Sequence, residues 1–194
     1  MQLREVSQVD DNVMLVDFDI ILGELFNSRF MDGGILTIVS PWIGDVKYYM
    51  GCCGFFSNIP LVSGDYLSLS ELIDEILLNN NSIVKIVTLK PDTRKYNGIN
   101  NKFSENELNF LYDRSKNGAK IYFSDSLHLK FILGEYGVVF GSYNVTFSGR
   151  YKNIEDGNFA PSSSKVYFDK VKRCNDIIEK SKLISSNTLK QLIH

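Results

Sequence analysis

The stretch LHLKFILGEYGVVFGSYNVT, residues 127–146, decides how the rest of the chain is read. His128 and Lys130 alternate with leucines up to Phe131, and a second apolar run, Val138 to Phe140, ends in Gly-Ser-Tyr-Asn rather than in more core. Two such runs around Gly-Glu-Tyr-Gly read as a β-hairpin. The loop sets the register. A two-residue loop, Glu135-Tyr136, pairs Gly134 with Gly137, puts Lys130 opposite Gly141 and sends Ser142 and Asn144 to the other face. A three-residue loop, with Gly137 in the left-handed conformation, pairs Gly134 with Val138, Lys130 with Ser142 and His128 with Asn144. The three-residue register is the self-consistent one. It gathers His128, Lys130, Ser142 and Asn144 on one side, sends Leu127, Leu129, Phe131 and Leu133 to the core, and leaves Gly141 open to close backbone approach.

An imidazole, an ammonium, a hydroxyl and an amide then converge, which is a set suited to gripping and attacking a phosphate. Each has a plainer reading alone: a satisfied structural histidine, a snorkelling lysine, two turn residues. The chain holds two histidines, and the other, His194, is its last residue. Imidazole chemistry here therefore falls to His128.

Outward from the hairpin, the chain alternates helical and strand periods. Val13 to Phe30 carries apolar residues three and four apart (Met14, Phe18, Ile21, Leu22, Leu25, Phe26), which predicts a helix capped within Asp10 to Asn12. GGILTIVSPWI (33–43) reads as a buried strand, LSLSELIDEILLNN (67–80) as a helix capped by Ser68 or Ser70, and SIVKIVTLK (82–90) as a strand. SENELNFLYDRSKNG (104–118) reads as a helix capped by Ser104 and stopped at Gly118, and AKIYFS (119–124) as a third strand. This β-α-β-α-β order predicts an α/β fold with a mixed, largely parallel sheet flanked by helices. Residues 127–133, 138–147 and 157–160 are strand-like with no helix between them, so antiparallel additions are expected. A last helix opens at Ser163 or Ser164 and turns Val166, Phe168, Val171, Ile177 and Ile178 inward. One domain is expected: an N-terminal helical extension (1–32), a core (33–180) and a C-terminal helical tail (181–194).

The composition, 44% hydrophobic in 194 residues, suffices for one real core and excludes a disordered tail. A net charge of −2 disfavours nucleic-acid binding by overall charge, leaving a local patch as the alternative. Cys52, Cys53 and Cys174 fit neither a disulfide framework nor zinc spacing, and read as buried free thiols of a reducing compartment. Asp17 and Asp19, two apart on a helix, point away from each other and read as a solvated face rather than metal ligands. The longest apolar run, VMLVDFDIILGELF, is too short and too charged to span a bilayer, so the chain reads as cytoplasmic.

The stretch from His128 to Asn144 resembles the HKD motif of the phospholipase D superfamily, H-x-K-x4-D followed by G-S-x-N. His128, Lys130, Gly141, Ser142 and Asn144 match, and Glu135 stands where the motif has aspartate. TFSGRYKNIEDG (146–157) resembles the family's continuation, in which Glu155 matches the glutamate that orients the histidine, and ILTIVSPWI resembles the first strand of its nuclease domains. The resemblance spans residues 33–180. It implies a metal-independent phosphodiesterase with no cofactor, in which His128 attacks phosphorus, a second histidine protonates the leaving oxygen, and Lys130, Ser142 and Asn144 hold the phosphate oxygens. Because this chain carries one such motif, the resemblance implies a homodimer with a composite site. Small single-motif members are mostly nucleases, including restriction and antiviral-defence enzymes. That favours a nucleic-acid substrate, DNA over RNA, no membrane partner, and protein partners of a defence complex. Gly141, Arg150 and Lys152 are the expected substrate contacts, and Lys165, Lys170, Lys172 and Arg173 supply either a basic rim or an ordinary solvated helix face. The alternatives are a phospholipid phosphodiesterase or transferase, and a catalytically silent binding subunit, for which Glu135 is the only support.

Overall fold

The computed structural model describes residues 4–7, 13–31, 33–49, 66–93, 95–96, 99–100, 103–151 and 156–193. In chain order the elements are β1 (Arg4–Ser7), α1 (Val13–Phe30), β2 (Ile35–Val39), β3 (Lys47–Tyr49), β4 (Tyr66–Ser68), α2 (Leu69–Leu77), β5 (Ile83–Leu89), β6 (Lys95–Tyr96) and β7 (Ile99–Asn100). They continue with α3 (Glu105–Lys116), β8 (Lys120–Ser124), β9 (Phe131–Leu133), β10 (Gly137–Gly141), α4 (Phe147–Tyr151), β11 (Asp156–Pro161), α5 (Lys165–Glu179), β12 (Lys182–Ile184) and α6 (Ser186–Ile193).

Eight strands form the main sheet in the order β1-β11-β10-β9-β2-β5-β8-β12. Parallel pairing is confined to its centre, β2 with β5 and β5 with β8. These are the three strands that the sequence separates by helical crossovers, and no hairpin can join parallel neighbours. The other five pairings are antiparallel. The sheet is therefore mixed, as expected, but less parallel than expected, because β1 and β12 add antiparallel edges that periodicity does not mark.

The helices begin where their caps say. Ser68 and Glu71 form a capping box at α2, as do Ser104 and Glu107 at α3, and Ser164 caps α5. Leu69, Leu72, Ile73 and Ile76 give α2 one apolar stripe, buried in the main core with Leu36, Ile38, Ile86 and Ile121 of the sheet. That core also takes Ile21 and Leu25 of α1 and Leu189 of α6. The segment expected as an N-terminal extension thus contributes a sheet strand and core side chains, and the expected C-terminal helical tail contains a strand as well as α6. On the other face α5 covers Val39, Val87, Phe131, Leu133 and Val138. Two expected core residues lie outside: Phe26 is 53% exposed and Phe168 61%. On α1 the buried positions beside Phe26 go instead to Glu24, Asn27 and Ser28, for a reason that lies in the hairpin. The expected caps at Asp10 to Asn12, the side chains of Asp17 and Asp19, and Cys52 and Cys53 lie outside what is described. Cys174 is buried and free.

Candidate active site

The hairpin takes the two-residue register, not the three-residue one. Leu133 pairs with Val138, Ile132 with Val139 and Phe131 with Phe140, and Gly134 N–H donates to Gly137 O at 2.9 Å. Gly137 does not take the positive φ that the longer loop needs. The cause is tertiary. Glu24, with no exposed surface, accepts the N–H of Glu135 at 2.6 Å on Oε1 and that of Ile35 at 2.9 Å on Oε2. Asn27 donates to Glu135 Oε2 at 3.1 Å and accepts from the Tyr136 hydroxyl at 2.9 Å, while the Tyr167 hydroxyl donates to Gly134 O at 2.9 Å. These contacts hold both loop residues, so the turn cannot lengthen. Burial, followed by the nearby Glu135 charge, pushes the Glu24 carboxyl above its ordinary value, against the lowering effect of the two backbone donors.

In this register Lys130 stands opposite Gly141, whose N–H donates to Lys130 O at 3.3 Å. Strict alternation would then separate Lys130 from Ser142 and Asn144. The ladder stops there, however: β9 begins at Phe131 and β10 ends at Gly141, so residues 127–130 and 142–146 are not bound by strand alternation. Gly141 is required by its neighbour strand, since a Cβ there would lie 2.1 Å from Asp156 O.

Lys130 is 9% exposed, and one of its three donors goes to His128 O at 2.9 Å. The His128 side chain is exposed. Ser142 donates its N–H to Asp156 O at 3.0 Å, and its Oγ accepts Asp156 N–H at 3.2 Å. Asn144, half-buried, has its Oδ1 3.5 Å from the Oγ of Ser40. Ser40, fully buried after β2, accepts Val145 N–H at 3.0 Å and donates to Trp42 O at 2.5 Å, so it fixes the segment that carries Asn144. Sequence reading passed over Ser40. The available signal was a hydroxyl residue directly after a buried β-branched strand, at the carboxyl end where α/β sheets bind ligands.

His128, Lys130, Ser142, Asn144 and Ser40 therefore all lie at one end of the sheet, where β2 and β10 finish and β9 and β11 begin. An ammonium on a residue as buried as Lys130 can stabilise an anion more strongly than the same group in water. Of the expected basic rim, Lys165, Lys172 and Arg173 are exposed on α5, and Lys170 Nζ sits 3.9 Å from the ring centre of Phe140, next to Gly141. Burial, then the Arg173 charge, lowers the pKa of Lys170. Glu155 and Lys152 lie outside the described residues, as does the side chain of Arg150.

Comparison with solved structures identifies the fold as that of phospholipase D family members. The phospholipase D family member Nuc from Salmonella typhimurium is 11% identical with a TM-score of 0.58, covering 95% of this chain and 98% of that one. NucT from Helicobacter pylori is 9% identical with a TM-score of 0.56, covering 94% and 99%. Phosphatidylserine synthase from Haemophilus influenzae Rd KW20 is 13% identical with a TM-score of 0.59, and the match covers 94% of this chain but 40% of that one. At these identities the likeness establishes the fold. No family model matches the chain, and no curated protein matches it.

Proposed function

We propose that this chain is a phosphodiesterase acting on nucleic acid through His128. The observation that carries the reading is that exposed His128 and buried Lys130, whose Nζ donates to the His128 backbone carbonyl, stand at the strand ends of a phospholipase D fold. The His128 nitrogen attacks phosphorus and forms a phosphohistidine, while the leaving oxygen takes a proton from a second imidazole. Water then attacks the phosphohistidine, its proton passes to that second imidazole, and His128 is released. Lys130, Ser142 and Asn144 hold the non-bridging oxygens, with Gly141 at the strand end beside them, and Glu155 orients the nucleophile. One motif per chain supplies one such imidazole, so the second comes from His128 of another copy across a two-fold axis.

DNA is the proposed substrate, in a restriction or antiviral-defence setting with protein partners of that system. Exposed Lys172 and Arg173 favour a polyanion, with Arg150 and Lys152 as further phosphate contacts, whereas Lys165 starts α5 beside the hairpin turn at the other end of the sheet. The likeness to phosphatidylserine synthase favours a second reading, a phospholipid substrate. Among the described residues no helix is long and apolar enough to cross a membrane.

Purified protein given plasmid DNA or phospholipid vesicles in excess EDTA separates the readings. Cleavage of DNA is expected to persist under chelation. Hydrolysis of lipid alone would move the substrate, and activity that needs added magnesium would overturn the mechanism. Equal mixing of wild-type and His128→Ala chains after full exchange is expected to leave about a quarter of the activity per dimer. Half would show that one chain holds a whole site.

A further inference from the structure

Between α2, α3 and the loops that follow β2 and Asn144 lies an open cleft of about 600 Å³. Its wall continues the candidate site. Thr146 N–H donates to Asn144 O at 2.8 Å, and Gly44 N–H donates to Val145 O at 2.9 Å. Asn144 and Phe147, which lines the cleft, are three residues apart, at most about 10 Å of chain. A group bound in the cleft can therefore be covalently continuous with one held at Asn144.

The lining says what that group is not. Asp45, Glu107 and Asp113 line it with a single cation among the described residues, Arg114, so the local charge disfavours a phosphate. Carboxylates already stand at both helix starts: Asp45 takes the N–H and hydroxyl of Ser70, at 2.9 and 2.7 Å, and Glu107 takes those of Ser104, at 2.8 and 3.0 Å. An acyl chain is unsuited to a lining in which Ile43, Phe110 and Phe147 are interrupted by Asp45, Glu107, Asp113 and Arg114. What remains for a ligand is a flat face and a hydrogen-bonding edge. Phe147 is 58% exposed at the rim. Asn106 and Asn109, one helical turn apart on α3, each present both a donor and an acceptor.

Arg114 is the independent observation. Its side chain is 9% exposed, its Nε lies 2.8 Å from Asp74 Oδ1 with no aligned hydrogen bond, and its guanidinium lies 5.8 Å from the ring centre of Phe110. A guanidinium that lines the cleft, with its Nε side held against Asp74, has terminal N–H groups suited to the acceptor edge of a neutral ligand.

We infer that this cleft is a nucleobase subsite, receiving the base of a nucleotide that flanks the bound phosphodiester. Phe147 stacks on the base, and Asn106, Asn109 and Arg114 meet its edge. This rests on the phosphodiesterase reading for its geometry and adds the part of the substrate that is recognised.

The test compares turnover of thymidine and deoxyadenosine 5′-(p-nitrophenyl phosphate), which carry a base, with methyl p-nitrophenyl phosphate, which does not. Binding of free thymidine and deoxyadenosine is measured in parallel by calorimetry. Wild-type protein is expected to favour the nucleoside diesters. Phe147→Ala is expected to lower the ratio of nucleoside to methyl kcat/KM by about 5-fold or more, chiefly through KM. Asn109→Ala is expected to change the preference between the two bases. A ratio unmoved by both variants, or wild type with no preference, overturns the subsite. Nucleoside binding that Phe147→Ala abolishes, in a protein that hydrolyses none of the diesters, supports the cleft and removes the phosphodiesterase reading. No nucleoside binding by wild type removes the cleft.

Discussion

Replacing Glu24 with alanine removes the group that fixes the hairpin register. Its carboxylate accepts one N–H from the hairpin loop and one from the start of β2, at 2.6 and 2.9 Å. Alanine leaves both donors without that acceptor. An orphaned buried donor costs about 1–3 kcal/mol, and both bonds here are only partly buried, so a loss of about 2–4 kcal/mol is expected. In a domain of this size that is about 5–15 °C in Tm, read by urea and thermal denaturation. A second substitution makes the test specific. A Cβ at Gly134 would sit 2.6 Å from Glu24 Oε1 and 2.9 Å from Ile20 Cγ2, so Gly134→Ala should be costly in wild type and less so in the Glu24→Ala background, where only the Ile20 contact remains. A loss below about 0.5 kcal/mol for Glu24→Ala, or additive effects in the double variant, would show that the register is set elsewhere.

Glu24→Gln should show a pH-dependent effect. The folded protein raises the Glu24 pKa, so it binds the proton more tightly than the unfolded chain, and this contribution is full below the ordinary glutamate range and lost as pH rises through the folded value. Denaturation of both proteins from pH 4 to 8 should therefore show wild type losing stability relative to the glutamine variant as pH rises; wild type gaining on the variant with rising pH would contradict it. Gly141→Ala places a methyl against Asp156 O, at 2.1 Å before relaxation, and should cost about 1–3 kcal/mol by wedging β10 from β11. Hydrogen exchange at residues 156–158 should rise with it. Burial pushes the Cys174 thiol up to about 11, so mass-mapped alkylation at pH 8 should spare Cys174 until the protein is unfolded. Rapid labelling of Cys174 in the native state would show that α5 does not stay seated on the sheet.

The parts of this protein visible in its sequence are those whose cause is local. His-x-Lys and Gly-Ser-x-Asn stand out because polar groups interrupt apolar runs, and Ser68, Ser104 and Ser164 announce their helices through side-chain bonds to N–H groups three residues on. The hairpin register was not local. Gly-Glu-Tyr-Gly is compatible with both loops, and the choice is made by Glu24, 111 residues from the N–H it accepts. In the sequence Glu24 is only a charge breaking an apolar run. Its burial becomes legible once the turn it binds is in place. Phe26 was read as core by the same periodicity that finds Ile21 and Leu25, and it lost that position to the polar residues serving the turn. Ser40 was hidden for another reason: its contacts to Asn144 and Val145 exist only when the ends of β2 and β10 lie side by side.

The most direct measurement of the central claim is the turnover of a phosphodiester by His128→Ala relative to wild type, with unfolding curves recorded on both. The His128 side chain is exposed, so the substitution should leave stability nearly unchanged. Loss of both the nucleophile and its acid-base counterpart should lower kcat by about 10²-fold at least. A His128→Ala protein that folds normally and turns over within a few-fold of wild type would contradict the account.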